Sequence, residues 1–538
     1  MSQNTLARTL LVVASGLALA LAYPKFDLSL FAWAAFVPLF YAIEGEPLGR
    51  VARYAYLQGL ACYAGSMYWI VIPLTDFAGV RMEFAILPML LLSAVMATNT
   101  MGAIWSGEFI ARRLRIPMVV TMPLAWTAFE WLRSFFPIGF PWNLVGYTAY
   151  RNLEVIQLSE FTGVYGVSAL IMFFNAVIFT VVFRRGTRRL QVTSLGALTA
   201  LMIVVFAFGT LRQRQLATAP VEGAMKVAMV QGNIAQSIKW DPAHLASSFR
   251  VYQEETVAAA RRGAQLVVWP EAAAAFLFQP GDQYTAEMAD YSSYRAALLA
   301  LARETGEPIL FGAPAMGAEN GQVGFYNRAY LVSGDGQIGG WYDKIQLVPF
   351  GEYVPARKLL GMFVNRVVEG FGDLIAGTRQ TVFDVHGAKL GVLICYESVF
   401  PDLTRRAVKA GANVLVNITN DAWYGESSAP YQALAMAALR SAENKVPMIR
   451  DAQTGISAII LPTGEITAAT PLFKRGTQIE EVSWRDTRTL YTMVGDLFSE
   501  ICFALTAIGL VIGWRWPHRQ KPLEAVVEQI LSANSASR

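Results

Sequence analysis

Leu390-Gly391-Val392-Leu393-Ile394-Cys395-Tyr396-Glu397 is an apolar run of strand length that stops on a cysteine and a glutamate. A run this short and this uniformly apolar reads as a strand buried on both faces, the habit of a sheet covered by helices. Outward from it the same texture repeats. Residues 226–232, 265–269, 308–312, 326–332 and 338–342 read as further strands, and 243–262 and 291–304 as helices. Ser333-Gly334-Asp335-Gly336 turns two of these strands into a hairpin. Beyond Cys395, a helix over 401–410, a strand over 413–418 and a helix over 431–444 continue the alternation. The pattern is that of an α/β domain.

Three of its strands end in residues that can carry chemistry. Leu266-Val267-Val268-Trp269-Pro270 delivers Glu271, Trp341-Tyr342-Asp343 delivers Lys344, and the opening run delivers Cys395. The carboxyl ends of strands are where α/β sheets place their sites. Each residue alone has an ordinary explanation: a cysteine that fills a core, a glutamate on a solvated turn, a lysine on the surface. Together, in a domain with no other cysteine, they point to a thiol nucleophile served by a base and a cation. An isolated thiol has a pKa of about 8.5, so a neighbouring ammonium would favour the reactive thiolate.

The rest of the chain belongs to a different solvent. Of 538 residues, 54% are hydrophobic and only 16% charged, against about a quarter charged in soluble proteins. Apolar segments at 9–23, 28–43, 54–74, 84–111, 116–132, 164–183, 192–211 and 497–514 predict eight spans, the first two short for a bilayer and the last interrupted by Glu500. An uncleaved first helix is preferred to a signal peptide, because seven further spans follow. With a cytoplasmic amino terminus, one face collects Arg8, Arg50, Arg53, Arg112, Arg113, Arg115, Arg184, Arg185, Arg188, Arg189, Arg515, Arg519 and Lys521. The other face mixes Lys25, Arg81, Arg133 and Arg151 with Asp27, Glu83, Glu154 and Glu160. Arg212 and Arg214 alone run against the bias, which puts the large polar domain on the outer face.

The expected organisation is therefore transmembrane helices 1–7 over 1–215, a catalytic domain over 222–484, an eighth helix over 494–516 and a cytoplasmic tail over 517–538. The connection from Arg133 to Gly163 carries Phe135-Phe136-Pro137-Ile138-Gly139-Phe140-Pro141-Trp142, aromatic yet broken by prolines. It is expected to lie in the membrane interface as an anchor, with a lip for lipid access as the alternative. A net charge of +4, with no basic tract interleaved with aromatics, gives no sign of a nucleic-acid partner. Cys62 and Cys502 lie inside apolar runs, and His244, His386 and His518 follow no ligand spacing, so neither a disulfide in the polar domain nor a metal is expected.

Several motifs then fix a resemblance: Gln231-Gly232-Asn233 followed by Trp240, Val268-Trp269-Pro270-Glu271, Tyr326-Asn327, Lys344 through Leu347-Val348-Pro349-Phe350-Gly351-Glu352-Tyr353-Val354-Pro355, Ile394-Cys395-Tyr396-Glu397, and Asn420-Asp421-Ala422-Trp423-Tyr424-Gly425. With them the domain resembles the carbon–nitrogen hydrolase (nitrilase) superfamily, and nearly the whole chain resembles the bacterial apolipoprotein N-acyltransferase family. One departure is Gln453 in Arg450-Asp451-Ala452-Gln453-Thr454-Gly455, where that pattern leads us to expect asparagine.

The resemblance implies an αββα sandwich inserted before the last of eight spans, with a catalytic triad of Glu271, Lys344 and Cys395. It implies a cell inner membrane enzyme, facing the periplasm, that takes an acyl chain from a phospholipid onto Cys395 and passes it to the diacylglyceryl cysteine of an apolipoprotein, without a cofactor. Glu352, Tyr396 and Glu397 would shape the site. Trp240 would contact lipid or acceptor in one reading and pack in the core in the other. Two rivals stay open: a membrane-tethered amidase or nitrilase that gives its acyl group to water, and a non-catalytic lipoprotein-binding receptor.

Overall fold

Strand alternation sorts the apolar side chains of the polar domain into two layers of core. In a computed structural model, which describes residues 3–135, 139–279, 291–319, 322–354 and 374–515, two six-stranded sheets pack face to face. The first contains β1 (Gly223–Gln231), β2 (Leu266–Val268), β3 (Ile309–Glu319), β4 (Gln322–Val332) and β5 (Ile338–Asp343). The second contains β6 (Val382–Val385), β7 (Ala388–Ile394), β8 (Val414–Thr419), β9 (Met448–Ala452), β10 (Ala458–Ile460) and β11 (Ile466–Thr467). The last strand, β12 (Gly476–Trp484), returns to the first sheet, so the orders are β12-β1-β2-β3-β4-β5 and β11-β10-β9-β8-β7-β6. Each sheet has three parallel strands at its centre, β1, β2 and β3 in one and β7, β8 and β9 in the other, with antiparallel neighbours outside them.

Val227, Met229, Leu266 and Val268 point inward, where they meet Leu390, Val392, Val414 and Val416 of the second sheet. Ala228, Val230, Val267 and Trp269 point outward, onto Leu245, Phe249 and Tyr252 of the helix Pro242–Arg261 and Leu298 of the helix Ser292–Thr305. Local sequence fixes where these helices start and stop. Asp241 caps the first, its carboxylate accepting from the Ala243 N–H at 2.9 Å just before Pro242 in the first turn. Gly306 ends the second at a φ of 73°.

The second sheet's outer face is covered differently. Leu393 and Leu415 pack under the helices Pro401–Lys409 and Ala429–Asn444, and that layer continues without a break into the apolar core of the membrane region, through Phe36, Trp126, Tyr165 and Ile171. One side of the sandwich is thus built jointly with the membrane helices.

Among the described residues, five helices are long and apolar enough to cross a bilayer: Thr5–Ala22, Met82–Leu114, Val164–Val182, Arg188–Thr218 and Leu497–Arg515. The expected span at 54–74 bends by 55° between Leu48–Ser66 and Tyr68–Phe77, and counts as a sixth if the pair is one span. The other two expected spans are shorter. Residues 28–43 form a turn of tight helix, Ser29–Trp33, and the helix Val37–Ile43. Residues 116–132 form Met118–Arg133, a 16-residue helix, roughly 24 Å long at 1.5 Å per residue against a hydrocarbon core of about 30 Å. The expected tail at 517–538 and the stretch Phe136-Pro137-Ile138 lie outside the described residues. At the end of the bundle that carries the basic bias, Glu46 accepts from Arg8 at 2.7 Å and Arg50 at 2.8 Å, while the Arg112 guanidinium donates to its carbonyl at 2.6 Å.

Candidate active site

Three strand ends converge where the two sheets meet. Glu271 follows β2 in a sharp turn, with Ala272 at a φ of 49°. Gly312 of β3 permits that turn: a Cβ there would come within 2.9 Å of the Glu271 Cα. Lys344 follows β5, whose last residue, Asp343, takes both forks of the Arg328 guanidinium at 2.5 and 3.0 Å. Cys395 follows β7 at a φ of 54°, a left-handed conformation that non-glycine residues adopt mainly under constraint and often at active sites.

Glu271 binds the sheets together. Its carboxylate accepts from the Asn327 side chain at 2.7 Å on the first sheet and from the Asn420 N–H at 2.8 Å just past β8 on the second. Lys344 Nζ stands 3.5 Å from Glu271 Oε1 and donates to Glu352 Oε1 at 2.8 Å. Glu352 in turn accepts from the Val348 N–H at 2.9 Å and from Asn327 at 3.2 Å. Only 1% of Lys344 is exposed, and an ammonium so buried is tolerable only when paired. Burial alone would lower its pKa, but Glu352 first, then Glu271 and Cys395, outweigh burial and hold it well above the ordinary lysine range. Lys344 is therefore a permanent cation at any physiological pH.

The opposite balance governs Cys395. Burial, then the Glu271 charge, push the Cys395 thiol up to about 12, while Lys344 and a hydrogen bond with Thr419 pull it down. Burial thus favours the protonated thiol, and Glu271 is the charge that acts on it most strongly.

Glu397 is fully buried and reaches four donors: the Tyr342 hydroxyl at 2.9 Å, the N–H groups of Ile345 and Gln346 at 2.7 and 3.0 Å, and that of Ile394 at 2.7 Å. It ties the Lys344 loop to the Cys395 turn. Burial still raises its pKa, to about 7, against the pull of those backbone bonds.

Tyr396 rests on an aromatic platform from the connection after Arg133. Its ring stacks over Phe140 and Trp142 with centroids 6.2 and 6.5 Å away. Within the connection expected at the membrane interface, Trp142 and Asn143 are buried in protein, where its polar groups find partners. The Trp142 indole donates to Gln432 at 2.7 Å, and Arg133 donates to the carbonyls of Trp142 and Asn143 at 3.2 and 3.3 Å. Arg133, counted above as a loop charge, is itself buried.

Trp240 is 38% exposed, which removes the core-packing reading. Beside it, Lys239 is buried and donates to the Glu271 carbonyl at 2.9 Å, a contact that no motif announced. Gln453 laces the sheets: its carbonyl accepts from the Asn233 N–H and its N–H donates to the Thr419 carbonyl, both at 2.9 Å, and its side chain accepts from the Tyr252 hydroxyl. Among the described residues no three histidine, cysteine or acidic side chains stand close enough together to hold a metal ion.

Two family models match the chain: the apolipoprotein N-acyltransferase N-terminal domain over residues 15–177 and the carbon-nitrogen hydrolase domain over 226–491. An apolipoprotein N-acyltransferase of Geobacter metallireducens is 38% identical over 514 residues, covering 94% of this chain and 95% of that protein. The protein of that name from Brucella suis is 32% identical, covering 86% of this chain and 88% of its own length. Among solved structures, an amidase from Nesterenkonia sp. matches 52% of this chain and 96% of its own at 23% identity and a TM-score of 0.36.

Proposed function

The chain belongs to the apolipoprotein N-acyltransferase family, and from that membership we propose how it moves a fatty acyl group from phospholipid to lipoprotein. Glu271 removes the Cys395 proton as Sγ attacks the ester carbonyl of a phospholipid. Lys344 and the N–H of Tyr396 stabilise the oxyanion. Collapse expels the lysophospholipid, whose oxygen takes the proton back from Glu271, and leaves an acyl thioester on Cys395. The amino group of a diacylglyceryl cysteine then attacks the thioester. Glu271 accepts a proton from the amine and returns it to the departing thiolate, so the enzyme ends as it began. A thioester suits this exchange, being activated toward amines yet able to outlast the replacement of one lipid by another. Glu352 and Asn327 keep Lys344 and Glu271 in place, Glu397 braces the turn, and exposed Trp240 meets lipid or acceptor.

The observation that carries this reading is the buried Lys344 ammonium, held at 2.8 Å from Glu352 and 3.5 Å from Glu271 beside the strained Cys395 turn. The joint core of membrane helices and sandwich supports the choice of lipid substrates. Drawing one long acyl chain into water costs on the order of 10 kcal/mol, at about 0.8 kcal/mol per CH₂, so both substrates are best met at the bilayer surface. The same proposal includes eight spans, with the domain over 222–484 inserted before the last one, on the outer face of a bacterial inner membrane.

Mass spectrometry of the full-length protein incubated with phospholipid and no acceptor tests it. A fatty-acyl mass on the peptide bearing Cys395, discharged by a diacylated lipopeptide faster than by water, is the expected result. Discharge to water alone would establish the tethered hydrolase. Cys395→Ala should abolish both steps with expression unchanged; undiminished turnover would remove Cys395 from the mechanism, and a binding protein would tolerate the change.

A further inference from the structure

The proposed mechanism leaves unused a buried charge that touches Glu271 itself. Lys239 closes the short helix Gln236–Lys239, 3% exposed, and its ammonium donates to the Glu271 carbonyl at 2.9 Å. The neighbouring Trp240 ring lies 5.8 Å from Nζ, and the charges that act on the ammonium are those of Glu271, at the end of β2, and Cys395, at the end of β7. Asp241, the nearest acid in sequence, turns away to cap Ala243 at 2.9 Å. The same segment is pinned to the second sheet, with the Asn420 amide donating to Gln236 at 2.9 Å. Among the described residues Lys239 has no ion pair with a carboxylate. Asp421, which also acts on Cys395, is paired with Arg450 at 2.8 Å, so without Lys239 the site holds Glu271 and Glu352 against Lys344 alone.

We propose that Lys239 is a second cation of the site, a positioning residue that keeps the Glu271–Cys395 pair in its singly protonated, reactive form. The inference rests on the roles given above to Glu271 and Cys395. That pair reacts when it shares one proton, as carboxylate with thiol or as carboxylic acid with thiolate. It is idle when it holds two. A neighbouring positive charge favours the one-proton state, which is more negative by one unit, and so lowers the pH at which the second proton binds. Burial draws the Lys239 pKa down to about 8, with Glu271 and Cys395 drawing it back up, so the ammonium keeps its charge across the acid limb on which it acts.

The test is the pH profile of Cys395 alkylation by iodoacetamide, read by mass spectrometry on the Cys395 peptide of the full-length protein in detergent. Lys239→Met should move the acid limb up by about one pH unit, a tenfold loss on that limb. Lys239→Arg, which keeps the charge, should leave the limb where the parent has it. Lys239→Gln, which keeps a donor to the Glu271 carbonyl without the charge, should behave as the methionine variant and stands in for it if that variant does not fold. Uncharged variants that alkylate more slowly by one factor at every pH, or with the parent's limb, would reduce Lys239 to a packing role and overturn the proposal. Alkylation does not depend on which acyl group the enzyme carries. A missing acyl adduct with this profile intact would therefore sink the acyltransfer reading and leave Lys239 standing.

Discussion

Asn327 donates to two carboxylates at once, Glu271 at 2.7 Å and Glu352 at 3.2 Å, and so helps one ammonium hold two like charges together. Asn327→Leu should slow formation of the Cys395 adduct by roughly tenfold to a hundredfold, since a lost hydrogen bond to a charged group is worth about 1.5–3 kcal/mol. Asn327→Asp should be worse than leucine, because it sets a third carboxylate against Lys344; an aspartate variant that outperforms leucine would mean the carboxylates do not repel there. Glu397→Gln replaces an acceptor with an amide donor that must face N–H and O–H groups. The expected loss is about 2–3 kcal/mol of stability, measured as a lower melting temperature in detergent and expressed more strongly than any effect on lipid affinity. At this scale the sequence revealed the residues that interrupt apolar strands, Glu271, Lys344 and Cys395, because a polar group after a buried run is conspicuous. Asn327 stood out only within a motif, and Lys239 not at all, since a lysine before a tryptophan reads like any surface cation until the fold brings the Glu271 carbonyl to it.

Elements were legible in proportion to how little they depend on distant partners. The parallel strands β7 and β8 and the helices that follow them are apolar runs and amphipathic stretches with their own periodicity. β9 escaped notice because Met448-Ile449-Arg450-Asp451-Ala452 buries two charged residues. Arg450 is acceptable there because it meets Asp421, 2.8 Å away beyond the end of β8, and donates to the Asn417 side chain. β12 alternates weakly and lies at a sheet edge, where polar residues are ordinary. How the aromatic connection packs was illegible for a related reason: interfacial preference is a property of indole in general, whereas Trp142 is fixed by one acceptor, Gln432. That side chain also accepts from the Trp69 indole at 3.1 Å and donates to the Ser66 carbonyl at 3.0 Å. Gln432→Leu leaves two buried indole donors unpaired. It should cost about 2–6 kcal/mol, at about 1–3 per orphaned group, and loosen the platform under Tyr396. Trp142→Phe keeps the stacked ring and loses one donor, so its melting temperature should fall less; equal losses would mean that stacking, not the shared acceptor, holds the platform.

For the molecule as a whole, the decisive fact is that the helix Ala429–Asn444 belongs to two bodies. Fifteen of its residues are buried, all but Tyr431, and they are covered partly by the sheet beneath and partly by the membrane helices. Its Glu443 accepts from the Val164 N–H at 2.9 Å and from Arg440 at 2.8 Å, and Arg440 donates to the Tyr147 hydroxyl at 3.3 Å. Lys445 at its end stands 3.4 Å from Glu160, which also takes Arg212 at 2.8 Å. Composition alone announced a soluble-looking domain between apolar stretches, and that division is misleading. Cutting the chain at 222 and 484 would bare this apolar face and leave Glu443 with half its donors. An exposed apolar surface of that kind aggregates in water. The excised segment should therefore need detergent to stay monodisperse, and its Cys395 should lose the alkylation profile of the full protein, because Tyr396 no longer rests on Phe140 and Trp142. Size-exclusion chromatography with and without detergent, followed by alkylation across pH, measures both. A segment that is monomeric in plain buffer, melts cooperatively and keeps the full-length profile would mean that the membrane helices only tether the site, and that the Cys395 turn is built by the sandwich alone.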